Sequence, residues 1–191
     1  MINTVTQKIK EMLKTKDSVV VAVDGRCASG KSTLACALKK ELSCNVIYTD
    51  DFFLQTFQRT EERLAEPGGN IDRERFLKEV LLPLSKQKPF SYSPYDCHTQ
   101  TLKNPVFITP GKITLIEGSY SCHPLFWNYY DLHIFLDTDE KTQQNRILKR
   151  NGEDALNNFN LMWIPLEEKY FSHFKIKEKC DLVFNTKNAE N

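Results

Sequence analysis

Eight consecutive residues, Gly25-Arg26-Cys27-Ala28-Ser29-Gly30-Lys31-Ser32, have the types and the spacing that hold a polyphosphate. They follow the pattern of glycine, four residues, Gly-Lys and then Ser or Thr. The two glycines let the backbone close into a nest of inward-pointing N–H groups, where a Cβ would obstruct phosphate oxygens. Lys31 has the reach and charge for β- and γ-phosphates, Ser32 offers its hydroxyl to Mg2+, and Thr33 carries the loop into the next element. The expected ligands are a nucleoside triphosphate, ATP or GTP, and Mg2+.

Two sets of acids accompany the loop. Asp50-Asp51 follows the apolar stretch Asn45–Thr49, and Glu117 ends the run Lys-Ile-Thr-Leu-Ile-Glu from Lys112. In an open α/β sheet ligands sit beyond the carboxyl ends of strands, which is where these carboxylates fall. Asp50-Asp51 also fits a cap on a following helix. Glu117 stands where a Walker B acid would stand, as a candidate for the metal's outer shell.

The elements that must position these groups are legible in the apolar pattern. Residues 18–24 read as a buried strand entering the loop and residues 32–42 as a helix leaving it, which sets a helix N-terminus under the phosphates. Ile2, Val5, Ile9, Met12 and Leu13 recur at helical spacing and predict an amphipathic leading helix over about 1–16. Residues 112–117 and 131–137 read as further buried strands, about 140–150 as a helix with Arg146 and Arg150 on one face, and 181–184 as a last short strand.

Between these lie less regular stretches. Residues 54–70 are polar, with the turn Pro67-Gly68-Gly69, and predict a loop or short helix without core. Asp72 precedes the helical stripe Phe76, Leu77, Val80, Leu81 and Leu84, in which Pro83 is expected to bend or end the helix. The pattern alone makes Asp72 an N-cap rather than a ligand. Residues 91–98 suggest a short hairpin or ordered loop, with Tyr95 either stacked on a flat ligand or packed in the core. Residues 151–160 are polar as a lid would be, 161–177 are helical, and the tail 185–191 reads as frayed.

Composition narrows the function classes. Twenty-six Lys and Arg against 25 Asp and Glu, spread along the chain, leave no electrostatic case for a nucleic-acid or anionic-membrane partner. The longest wholly apolar run, Val19–Val23, is too short to span a bilayer. Six cysteines without a C-x-x-C pair, one of them inside the phosphate loop, indicate a reduced compartment. A soluble cytoplasmic protein is expected. The Cys97-His98 and Cys122-His123 dipeptides lack second ligands nearby, so zinc is not expected.

Beyond the loop, the chain resembles the uridine kinase family and the related nicotinamide riboside kinases. Thr49-Asp50-Asp51-Phe52-Phe53 is similar to the family's Asp-(Ser or Asp)-Phe-(Tyr or Phe) motif, Asn70-Ile71-Asp72 to its Asn-Phe-Asp, and 162–170 to a segment of nicotinamide riboside kinases. The resemblance implies a three-layer α/β/α P-loop NTPase fold with a mainly parallel five-stranded sheet and a short lid. It implies a single kinase domain over 1–191, with an acceptor-binding insertion at about 54–104 and a lid at about 150–162.

The implied activity is ATP-dependent phosphorylation of a nucleoside 5′-hydroxyl, uridine or cytidine foremost. Asp50 becomes the base and, with Ser32 and Glu117, a metal residue. Asp72 becomes the ribose ligand, reversing the cap reading, and Phe53, Tyr95 and His98 fall on the substrate side. Arg146 and Arg150 become the phosphate clamp, with Lys169 as a further candidate. Family members follow Tyr-Asp-Phe at a fixed distance with His and Arg, whereas Tyr95-Asp96 here runs directly into Cys97-His98, so the base is left open. Nicotinamide riboside is the alternative acceptor, and a nucleotide-binding regulatory ATPase the alternative of another class. The oligomeric state, a homo-oligomer included, is also left open.

Overall fold

The structure is a computed structural model that describes residues 1–187. Helix α1 (Ile2–Met12) lays Val5 and Ile9 on the core. Strand β1 (Val19–Gly25) is buried along its whole length, as a β-branched run flanked on both faces must be. Its side chains alternate: Val19, Val21 and Val23 enter a core with Leu34, Leu38 and Leu115, while Val20 and Ala22 enter another with Phe52, Phe76 and Phe171. That alternation creates two apolar layers, one on each face of the sheet.

Helix α2 (Lys31–Leu42) follows the loop, and β2 (Asn45–Tyr48) ends in a 3₁₀ turn, Thr49–Phe52. After α3 (Glu61–Ala65), Asp72 opens a helical run made of α4 (Arg73–Phe76), a π turn (Leu77–Leu81) and α5 (Leu82–Ser85). Pro83 does not break this run. The π turn widens the ladder just before a residue that has no N–H to donate, and the helix ends two residues after it.

Strands β3 (Phe90–Tyr92), β4 (Tyr95–Asp96), β5 (Thr101–Leu102) and β6 (Val106–Ile108) form a nested antiparallel hairpin, β3 with β6 and β4 with β5. Strands β7 (Ile113–Glu117) and β8 (Leu132–Asp137) precede α6 (Glu140–Asn151), α7 (Glu153–Asn158), a π turn (Phe159–Trp163), α8 (Ile164–Phe174), α9 (Ile176–Lys179) and β9 (Leu182–Asn185). Among the described residues the main sheet has five parallel strands in the order β2-β7-β1-β8-β9, with helices on both faces. The three-layer α/β expectation is therefore met.

Three local expectations change. Residues 54–70 do contribute to the core, because Leu54 is buried and its N–H is tied to Asn70 O across the loop. Residues 151–160, polar as a lid would be, are helical and broken only at Gly152, and the 161–177 helix divides at Lys175, whose φ is 53°. Asn185 belongs to β9 and Thr186 is buried, so the tail is held at least that far; Lys187 follows as an exposed turn residue, and residues 188–191 lie outside the described residues. Among the described residues no helix is long and apolar enough to cross a membrane.

Candidate active site

A cavity of about 770 Å³ opens at the carboxyl ends of β1, β2 and β7. The phosphate loop from Cys27 to Thr33 lines it, together with Phe53, Asn70 and Trp163. Asp50 and Glu117 lie on its lining with Lys31 and Ser32, so residues from three separate stretches of sequence share one space.

Two glycines make this convergence sterically possible. Gly25 has φ 135°, and a Cβ there would run into the backbone of Leu136 on the neighbouring strand. Gly118, immediately after β7, has φ 138°, and a Cβ would collide with the Thr49 side chain and lie 3.1 Å from Asp50 Oδ1. Its absence lets the exits of β2 and β7 approach, which sets Glu117 beside Asp50. Thr49 completes the seam by donating its hydroxyl to the Ser119 carbonyl at 3.0 Å.

Lys31 is buried, and its ammonium donates to Gly25 O at 2.7 Å and Arg26 O at 3.0 Å, with Ser119 Oγ at 3.4 Å. Ser32 Oγ lies 3.3 Å from Glu117 Oε1. Burial pushes Glu117 up to about 7, with Lys31 opposing the shift and the neighbouring Asp50 adding to it. Asp50 is likewise raised by burial, against the pull of Lys31. Crowded, raised carboxylates beside a hydroxyl make a set of hard oxygen donors that suits Mg2+. Ser32, Glu117 and Asp50 would hold it. Among the described residues no three His, Cys, Asp or Glu side chains group around a metal position, so phosphate and water oxygens would have to complete the shell.

The other expected residues separate into those on the cavity and those off it. Arg146 and Arg150 both line it. Arg146 also ties the loop to the end of β9, donating to Ala28 O at 3.2 Å and to Thr186 O at 2.7 Å, whereas Arg150 donates to Asn151 Oδ1 at 2.6 Å. Arg26 points the other way, to Asp137 at 2.9 Å and to Glu168. Lys169 is bound to Ala65 O.

On the acceptor side, Phe53 faces Trp163 with ring centroids 5.9 Å apart. Asp72 is 3 % exposed and off the cavity lining, with Oδ1 accepting the Arg75 N–H at 3.0 Å as an N-cap and Oδ2 accepting the Gln58 amide at 2.9 Å. Tyr95 is buried in the hairpin under Arg59, and His98 is exposed, so neither lines the cavity. Cys97 lines it instead. Asp51 accepts the Tyr92 hydroxyl at 3.1 Å and leaves the cavity to Asp50.

Sequence reasoning passed over Ser119, Glu167 and Trp163 as individual site residues. Trp163 had a signal, as an aromatic within the stretch resembling nicotinamide riboside kinases. Glu167 lies in the same stretch, but an acid near the start of a helix is the ordinary way to complement its dipole, so nothing singled it out.

No family model matches the chain. The chain is 29 % identical over 142 residues to a uridine kinase of Haemophilus ducreyi, which covers 66 % of this chain and 64 % of that protein. It is 27 % identical over 179 residues to a protein of Invertebrate iridescent virus 3 described as a candidate kinase, covering 86 % of each. Among solved structures, one described as a possible uridine kinase from Bacillus stearothermophilus superposes with a TM-score of 0.69 at 22 % identity, covering 96 % of both chains. A candidate fructose transport system kinase from Silicibacter sp. TM1040 superposes with a TM-score of 0.73 at 20 % identity, covering 96 % of this chain and 98 % of the other. The fold is thus one that P-loop kinases use.

Proposed function

We propose that the chain is a uridine kinase-like P-loop kinase and that it transfers the γ-phosphoryl group of ATP to the 5′-hydroxyl of a nucleoside, with uridine or cytidine as acceptor. The observation that carries this reading is the place of Asp50. Its carboxylate shares one cavity with Lys31 and Ser32 of the phosphate loop and with Phe53 and Trp163. A sensor of nucleotide has no need of a carboxylate in that company.

Phosphoryl transfer passes through a loose transition state, so the protein's part is alignment and charge. Lys31 and the amides of residues 27–33 hold the phosphates, and Arg150 adds positive charge at the rim. Mg2+, when bound at Ser32 with Glu117 and Asp50, supplies neutralisation of the phosphate oxygens. As the bond from the 5′ oxygen to phosphorus forms and the bond to ADP breaks, the hydroxyl turns acidic and its proton passes to Asp50. Burial raises the proton affinity of that carboxylate, which suits it to the task. Phe53 and Trp163 give a flat base two aromatic faces.

Nicotinamide riboside is a second reading, favoured by Trp163 opposite Phe53 and by His98 lying off the cavity. The six free cysteines agree with action in the reducing cytoplasm. The test is a panel of ribonucleosides, nicotinamide riboside included, with ATP and Mg2+, read as ADP and nucleoside 5′-monophosphate formed in equal amounts. ATP hydrolysis that no acceptor stimulates would replace the kinase reading with that of a regulatory ATPase.

A further inference from the structure

Glu167 stands in the first turn of α8, 4 % exposed, with both carboxylate oxygens turned to the site. Oε2 accepts the Cys27 N–H of the phosphate loop at 2.9 Å, and Oε1 accepts the Ser119 hydroxyl. The next residue, Glu168, pairs with the Arg26 guanidinium. Two successive acids of α8 therefore grip two successive residues of the loop.

The Cys27 N–H is one of the donors such a loop presents to an anion, and here the anion it holds belongs to the protein. Ser119 connects Glu167 to the ammonium of Lys31, the group that reaches β- and γ-phosphates, so the carboxylate lies at the terminal-phosphate end of the nest. Lys31 meanwhile donates to the loop carbonyls of Gly25 and Arg26. Asp50, Glu117 and Glu167 thus line one cavity with this ammonium. A phosphate and a carboxylate cannot share the same N–H, and like charges in a partly dry site repel strongly.

Resting on the kinase reading, we infer that Glu167 is a donor-selectivity residue: it is the loop's resident anion, and the terminal phosphate of a triphosphate, unlike a diphosphate, has to displace it. Entry of the triphosphate then releases one of the two grips of α8 on the loop, leaving the Glu168–Arg26 pair, and loosens the first turn of α8 and the helical segment before it. The carboxylate holds triphosphate affinity down and makes loop occupancy felt in the 153–163 segment.

Calorimetric titration of wild type and Glu167→Gln with a non-hydrolysable ATP analogue and with ADP, both with Mg2+, tests this. Glutamine keeps an acceptor for Cys27 without the charge. The expected result is a Kd for the triphosphate at least about fivefold lower in the variant, with ADP changed less than about twofold. An unchanged or weaker triphosphate, or equal tightening of both nucleotides, overturns the inference while leaving the kinase reading intact. Wild type that binds neither nucleotide overturns both. Should the variant not fold, amide exchange in wild type decides: the first turn of α8 should exchange faster with the triphosphate analogue than with ADP, and equal exchange refutes the displacement.

Discussion

Gln58 gives its side-chain amide to Oδ2 of Asp72 at 2.9 Å while Oδ1 of the same carboxylate caps α4 through the Arg75 N–H. The cap and the ribose ligand therefore need not be rival readings, because they use different oxygens. A neutral amide is also a partner that ribose hydroxyls can replace. Asp72→Asn should lower the melting temperature of the free protein only modestly, since Asn caps about as well as Asp and only the bond from the Gln58 amide is lost. It should raise KM for the nucleoside by about tenfold, from the loss of a charge-assisted bond of about 1.5–3 kcal/mol. A KM within about twofold of wild type, measured alongside thermal unfolding, would leave Asp72 with the cap alone.

The paired acids divide in the same manner. Asp50 lines the cavity, whereas Asp51 is spent on the Tyr92 hydroxyl, with Arg75 bound to its backbone oxygen. Asp50→Asn is expected to lower kcat by about a hundredfold or more while nucleotide affinity, read by calorimetry, holds. Asp51→Asn is expected to cost about 1 kcal/mol of stability and little kcat. Should Asp51→Asn be the more damaging to kcat, the base is Asp51 and the 3₁₀ turn must rotate on substrate binding.

How much of this was readable in advance follows from what local sequence controls. The strand, loop and helix from Val19 to Leu42 declare themselves because an apolar run, two glycines and a helical stripe each act within a few residues. The acceptor side does not. Its register depends on pairings such as Asp72 N–H to Phe52 O and the bridge between Phe53 and Ile71, which no local pattern encodes. The approach of Glu117 to Asp50 turns on Gly118, whose role appears only when β2 and β7 lie side by side. Tyr95 and His98 stand three positions apart in the hairpin region: one packs inward, the other faces solvent, and Cys97 between them lines the cavity.

Trp163 offers a direct probe of the acceptor wall. The chain has two tryptophans, and Trp127 is stacked on His133 at 4.0 Å, away from the cavity. A change in tryptophan fluorescence on adding acceptor should persist in Trp127→Phe and vanish in Trp163→Phe. Trp163→Ala should raise KM for the acceptor by about five- to tenfold, in keeping with about 1 kcal/mol or more for an aromatic contact, with kcat little changed. A signal carried by Trp127 instead would move the acceptor away from Phe53.

Glu117 makes the fold and the site compete, and the sign of that competition can be worked out. Burial raises its pKa from 4.5 to about 7, and Asp24 is raised in the same way from 3.8 to about 6. Between the unfolded and folded values the native state binds more protons than the unfolded one, so stability falls as pH rises through that window and levels off above it. For Glu117 the window is about pH 4.5 to 7. Glu117→Gln removes its share of the penalty and keeps an acceptor for the Ser32 hydroxyl. The variant without ligand should therefore unfold at a higher temperature than wild type at pH 8, by a margin on the order of 2 kcal/mol, and show little advantage at pH 4.5. Mg2+ with a non-hydrolysable ATP analogue should reverse the order at pH 8, because a cation answers the carboxylate's charge and the amide offers it none. Thermal unfolding across pH, with and without that complex, reads both effects. An advantage for the variant that grows toward pH 4.5 would mean that Glu117 is held ionised rather than raised, and an order at pH 8 that the Mg2+ complex leaves unchanged would remove it from the metal site.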